Sequence, residues 1–127
     1  MRAVDTNILV RLIARDDGKQ VAAAERFIKP GAWIPLLVLQ ESLWVLERAY
    51  ALGRKELASV VAHLLDHETL AVEAPALVAD ALAKFTEASR VGFSDCLILA
   101  STRLAGHTPL GTFDKRLGRL KDVEIPT

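Results

Sequence analysis

The sequence predicts an α/β protein in which helices cover both faces of a mainly parallel sheet of about five strands. Short apolar, β-prone stretches at residues 2–4, 32–35, 70–72, 108–112 and 123–125 alternate with longer stretches whose apolar residues recur at helical spacing. Strands that take turns with helices are joined by crossovers, and crossovers produce parallel pairing. Composition agrees. The chain has 127 residues, 51% of them hydrophobic and 25% charged, the profile of one globular domain large enough to bury a core, and it reads as a single domain over 1–127.

The first strand, Arg2-Ala3-Val4, runs into Asp5, and Thr6 or Asn7 is placed to cap the apolar helix that follows to about Ala14. Arg15-Asp16-Asp17-Gly18 is a polar turn. Val21, Ala24 and Ile28 mark a second helix, stopped by Pro30-Gly31, and Ala32-Trp33-Ile34-Pro35 is the second strand. From Leu36 to Tyr50 a helix is apolar on almost every side, which calls for a central position or cover by another chain. Gly53 is read as its end. Leu57, Val60, Val61, Leu64 and Leu65 give the next helix its stripe, Leu70-Ala71-Val72 is a strand, and Pro75 opens a helix whose inner face is Leu77, Val78, Ala81, Leu82 and Phe85. After Gly92, Ser94 is read as the cap of a helix ending at Gly106; the strand at 108–112, a basic turn from Asp114 to Lys121, and the strand at 123–125 complete the chain.

Charge sets limits on function. Sixteen basic and sixteen acidic side chains cancel, so a polyanion is drawn only by a local patch, and Lys115, Arg116, Arg119 and Lys121 form one. The single cysteine, Cys96, rules out an internal disulfide framework and fits a reducing compartment. There is no signal-peptide-like start and no run of about 20 apolar residues, so a cytoplasmic address and no membrane span are expected.

Four acids stand out from the solvated charge. Asp5 follows an apolar strand at a strand-to-helix switch, where open α/β sheets form their binding crevice. Glu41 has Leu37, Val38, Trp44 and Val45 as its helical neighbours, so it is expected to be paired or metal-facing rather than free in solvent. Asp95 lies in the first turn of its helix and Asp114 follows a strand, positions that dipole stabilisation or capping alone would also explain. Together they are what a carboxylate cluster at one sheet edge requires. Such a cluster repels itself unless a divalent cation is present, and oxygen-only ligands favour Mg²⁺ or Mn²⁺ over zinc. Phosphodiester hydrolysis is the natural chemistry of that arrangement.

Val-Asp-Thr-Asn at 4–7, Gln40-Glu41 in a helix continuing Leu-Trp-Val-Leu-Glu-Arg, Phe-Ser-Asp-Cys-Leu-Ile-Leu-Ala at 93–100 and Thr-Phe-Asp-Lys at 112–115 resemble, in order and over the whole length, the PIN domain in its VapC toxin form. The resemblance implies a three-layer α/β/α fold, a Mg²⁺- or Mn²⁺-dependent endoribonuclease acting on RNA, and a VapB-type antitoxin as partner. It makes Asp5, Glu41, Asp95 and Asp114 the metal-binding quartet, has Thr6 and Asn7 orient Asp5 or a bound water, and puts the Thr112 hydroxyl near the site. Cys96 departs from it, because many relatives carry alanine there.

Other residues read more plainly. His63 and His67, four apart, lack a third ligand; His107 is solvent-facing; Asp80 is an ion-pair partner for Lys84; Trp33 and Trp44 belong to the core. The all-round apolar helix predicts a two-fold homodimer. Two competing functions remain. A receiver-type signalling domain needs an acid pair at the first strand, where this chain has Thr6-Asn7 after Asp5, and a non-catalytic interaction domain has no use for the quartet.

Overall fold

The computed structural model describes residues 1–88 and 90–127, and these form six α-helices, five short strands and a 3₁₀ turn. The chain divides into two compact units, Met1–Pro75 and Ala76–Thr127.

In the first unit, β1 (Arg2–Ala3), β2 (Ala32–Ile34) and β3 (Leu70–Val72) form a parallel sheet in the order β1-β2-β3, with Ala3 opposite Trp33 and Trp33 opposite Ala71. Helices α1 (Thr6–Ala14) and α2 (Gly18–Ile28) carry the chain from β1 to β2, and α3 (Leu36–Tyr50) and α4 (Arg54–Leu65) carry it from β2 to β3. Leu9, Ile34, Leu39, Leu46 and Val61 are fully buried, each contributing about 1.5–3 kcal/mol from removal of its side chain from water. Ser42 is the exception in this core: its Oγ is buried without a hydrogen-bond partner among the described residues, which costs roughly 1–3 kcal/mol.

The helix ends show how sequence becomes geometry. Asp5 itself caps α1, its Oδ1 accepting from the Ile8 N–H at 3.1 Å, so the cap is Asp5 and neither Thr6 nor Asn7. Pro35 brings no cap to α3, and Glu73, just past β3, supplies one across the chain: its Oε1 accepts from the Leu36 N–H at 2.7 Å. Ala51, in the left-handed region at φ 56°, ends α3, whereas Gly53 starts α4 and donates its N–H to Glu56 Oε1. Asp16 ties α1 to the end of α3, accepting from Arg11 and, at 2.7 Å, from the Tyr50 hydroxyl. The Tyr50 hydrogen bond, then that of Arg11, holds the Asp16 carboxyl below its ordinary value of 3.8, so this tie stabilises the fold above that value and is lost as pH falls through the depressed one.

The second unit contains α5, which starts at the boundary (Pro75–Glu87), α6 (Phe93–Ala105), β4 (Leu110–Gly111), the 3₁₀ turn Leu117–Arg119 and β5 (Val123–Glu124). Helix α6 begins at Phe93, not after Ser94, with Gly92 at its N-cap and no side-chain cap bond. Phe93 is buried edge-on to Phe85, ring centroids 5.5 Å apart, and that packing draws the helix start forward. Strands β4 and β5 pair in parallel, Leu110 opposite Val123. All five expected strands are present and parallel, distributed as a three-stranded and a two-stranded sheet instead of one continuous ladder. The stretch at 108–112 keeps two strand residues: Pro109 has no N–H to give a ladder, and beyond Gly111 the Thr112 N–H makes one more bond, to the Glu124 carbonyl at 3.0 Å, before the Asp114 turn. Gly118 is needed where it stands: a Cβ there would meet the Ile125 side chain at 2.6 Å.

Candidate functional site

In the first unit, β1 ends beside Asp5, and the N-terminus of α1 brings Thr6 against α3. The Thr6 hydroxyl donates to Glu41 Oε1, a pairing across 35 residues of sequence that fixes the α3 acid next to the residue following Asp5. Glu41 is paired, but it is exposed, because the face it shares with Leu37 and Trp44 points outward and not into the core as its apolar neighbours suggested. It shares the outer stripe of α3 with Leu37, Gln40 and Trp44, while Leu39, Ser42, Leu43 and Leu46 form the inner one. The same geometry overturns the core assignment of the tryptophans. Trp44 is 59% exposed under the guanidinium of Arg48, 5.4 Å from the ring centroid, and Trp33 points outward at the middle of β2. Asp5 is exposed; Oδ1 is engaged in the helix cap and Oδ2 has no hydrogen bond among the described residues. Asn7, also exposed, makes no side-chain hydrogen bond among them.

In the second unit, Asp95 lies in the first turn of α6, half-buried, with Cys96 and Leu97 fully in the core behind it. Burial, then the nearby charge of Asp114, lifts the Asp95 carboxyl above its ordinary value of 3.8. Asp114 is exposed and held by its own turn: the Thr112 hydroxyl accepts from the Asp114 N–H at 3.0 Å, and Asp114 Oδ1 accepts from the N–H groups of Arg116 and Leu117 at 2.8 and 3.0 Å. Thr112 thus orients Asp114 through the backbone. Asp95 and Asp114 form a like-charge pair whose repulsion a cation would relieve, and a carboxylate-only donor set suits a hard divalent ion. No group of three His, Cys, Asp or Glu side chains positioned to hold a metal occurs among the described residues, so what the structure shows is a pair in this unit and the Asp5–Thr6–Glu41 arrangement in the other.

Other candidates fall away on geometry. His67 Nδ1 accepts from the Thr69 N–H at 3.1 Å, which ties the ring to its own loop. His107 is exposed, and Lys84 pairs with Glu87 at 3.7 Å rather than with Asp80. The first unit's cavity of about 550 Å³, bounded by α1, α2, α4 and β3, is lined by neither Asp5 nor Glu41. One positioning residue has no signature in the sequence: the long reach of Glu73 to α3 is set by the register of β2 on β3. Thr112 is expected near the site, and the structure adds that its hydroxyl accepts from the Asp114 N–H.

Among the described residues no helix is long and apolar enough to cross a membrane. No curated protein matches the sequence. Among solved structures, the chain is similar to the Mycobacterium tuberculosis toxin VapC20, which cleaves the sarcin-ricin loop, at 20% identity over 100% of both chains and a TM-score of 0.43. The family model described as PIN domain matches residues 2–123. The chain belongs to the PIN domain family.

Proposed function

We propose that this chain is a metal-dependent endoribonuclease of the VapC toxin form, a single PIN domain over residues 1–127 that hydrolyses RNA phosphodiester bonds and is held in check by a VapB-like antitoxin. The observation that carries this reading is the Asp95–Asp114 pair, a half-buried carboxyl in the first turn of α6 and one held in place by the Arg116 and Leu117 N–H groups, in a chain of the PIN family. Asp5, Glu41, Asp95 and Asp114 are assigned as ligands of Mg²⁺ or Mn²⁺, each on its motif position. When bound, the metal supplies Lewis-acid polarisation of a phosphoryl oxygen and a lowered pKa for water. The chain's own residues do the rest. Thr6 fixes the Glu41 carboxylate, Asn7 offers an amide at the mouth of α1, and Thr112 with the Arg116 and Leu117 N–H groups holds Asp114 in one orientation. Preset carboxylates of this kind lower the ordering cost of binding.

The test is direct. Purified protein should cleave single-stranded RNA in Mg²⁺ or Mn²⁺, stop in excess EDTA and resume on metal addition, and Asp5→Asn should stay inactive throughout. Cleavage that survives EDTA, or that Asp5→Asn retains, sinks the assignment.

A two-fold homodimer belongs to the same proposal. Leu37, 79% exposed, and Trp44 lie two helical turns apart on the outer stripe of α3, flanking Glu41, and bare apolar side chains so arranged suit a self-complementary contact. Light scattering at micromolar concentration should give twice the 13.9 kDa chain mass, falling to one chain for Leu37→Glu/Trp44→Glu. A wild-type monomer rejects the dimer.

A further inference from the structure

The second unit carries four arginines, Arg90, Arg103, Arg116 and Arg119. Arg103 is committed: it pairs with Asp122 at 3.0 Å and donates to the Lys121 carbonyl at 2.7 Å. The other three line a single cavity of about 310 Å³, and none of them has a carboxylate partner among the described residues. The acid on that wall, Glu87, is engaged with Lys84. Arg116 and Arg119 reach the same cavity because a 3₁₀ turn has three residues per turn and eclipses side chains three apart, and the turn is clamped by Ile125 packed over Gly118. Lys115 and Lys121, out of that phase, do not line it. Arg90 arrives from the link between α5 and α6, 26 residues earlier, so the sequence shows a basic run near 115–121 but not this triad.

Three arginines lining one small cavity outweigh the single acid there, Glu87, and guanidinium forks match a phosphate bidentately. The cavity starts two residues from Asp114, whose Oδ1 accepts the Arg116 N–H. We infer that Arg90, Arg116 and Arg119 form a subsite for a backbone phosphate of single-stranded RNA, not for the phosphate being cleaved. The inference rests on the ribonuclease reading for the identity of the polymer, and its test measures binding without cleavage.

The probe is a fluorescent 12-nucleotide single-stranded RNA, 2′-O-methylated and bearing a 5′-hydroxyl, titrated by anisotropy into the full chain over a series of salt concentrations. Each of Arg90→Ala, Arg116→Ala and Arg119→Ala should weaken binding about tenfold and lower the slope of log K against log salt by about 0.7, the value for one contact on a single strand. Arg116→Lys should keep the slope and recover part of the affinity. Arg26→Ala on α2 of the first unit serves as the charge control and should change neither. Thermal midpoints of all variants are compared with wild type, so that a loss through unfolding is read as such and the lysine variant then decides. Unchanged affinity and slope in the three alanine variants overturn the subsite, as does an equal loss in Arg26→Ala. If inorganic phosphate at millimolar concentration stabilises wild type but not the alanine variants while RNA binding is equal in all, the pocket serves free phosphate and the RNA assignment is overturned. Arginine-dependent binding by a protein that cleaves nothing would leave the subsite standing and remove the nuclease reading; normal cleavage with arginine-independent binding would do the reverse.

Discussion

Asp95→Asn is expected to reduce metal-dependent RNA cleavage at least about 100-fold, the scale on which loss of even a supporting group at a metal site is felt, while making the metal-free protein more stable at neutral pH. The two effects share one cause. The Asp95 carboxyl is raised above 3.8 by burial and by Asp114, so the folded chain holds that proton more tightly than the unfolded chain does. Between 3.8 and the raised value the folded state carries more protons, and stability therefore falls as pH rises through that window and stays lower above it. An amide in place of the carboxylate removes the deficit. The thermal midpoint of Asp95→Asn in EDTA should exceed wild type at pH 7, and the difference should vanish below pH 3.8. Added Mg²⁺ should raise the wild-type midpoint in proportion to RT ln(1 + [Mg²⁺]/Kd) and leave that of the variant almost unmoved. A variant that cleaves normally, or one that gains stability equally at pH 3 and pH 7, contradicts the role assigned to Asp95.

Much of this architecture is legible in the sequence because periodicity is local. Leu36–Tyr50 and Leu70–Val72 appear with the boundaries that their apolar patterns mark, since Pro35 and Glu73 stand at their ends. The acids are legible for a similar reason: Asp5, Asp95 and Asp114 stand at element ends that capping and turn chemistry identify. What stays hidden depends on which face of an element meets another. Glu41 and Gln40 share a stripe with Leu37 and Trp44, and those two large apolar side chains mask the polar character that sets it apart from the buried Leu39–Leu43–Leu46 stripe. The Thr6–Glu41 bond, the Glu73 cap of α3 and the meeting of Arg90 with Arg116 and Arg119 each join residues 26 or more apart, and no local pattern encodes such distances.

Leu99→Ala is expected to cost about 2–5 kcal/mol, a large share of the 5–15 kcal/mol typical of a domain. Leu99 is fully buried in α6, one turn beyond Asp95, among Phe93, Cys96 and Ala100, which are also in the core. Truncation to the β-carbon removes three carbons of buried side chain, and the helix is held by neighbours too tightly packed to collapse into the space. For a chain of this length the loss corresponds to a fall in thermal midpoint of roughly 10 °C or more. The adjacent Ile98, 48% exposed, is the internal comparison: Ile98→Ala keeps the helix propensity favourable and vacates mostly solvent, so its cost should stay below about 1 kcal/mol. Denaturant titration of both variants separates the cases, since equal midpoints would mean that α6 is not anchored by the face carrying Leu99. Below its lowered midpoint, Leu99→Ala should cleave RNA with unchanged metal dependence per folded molecule. Asp95 sits in the first turn, where the helix start is set by Gly92 and by Phe93 on Phe85, and the cavity opens one turn further in.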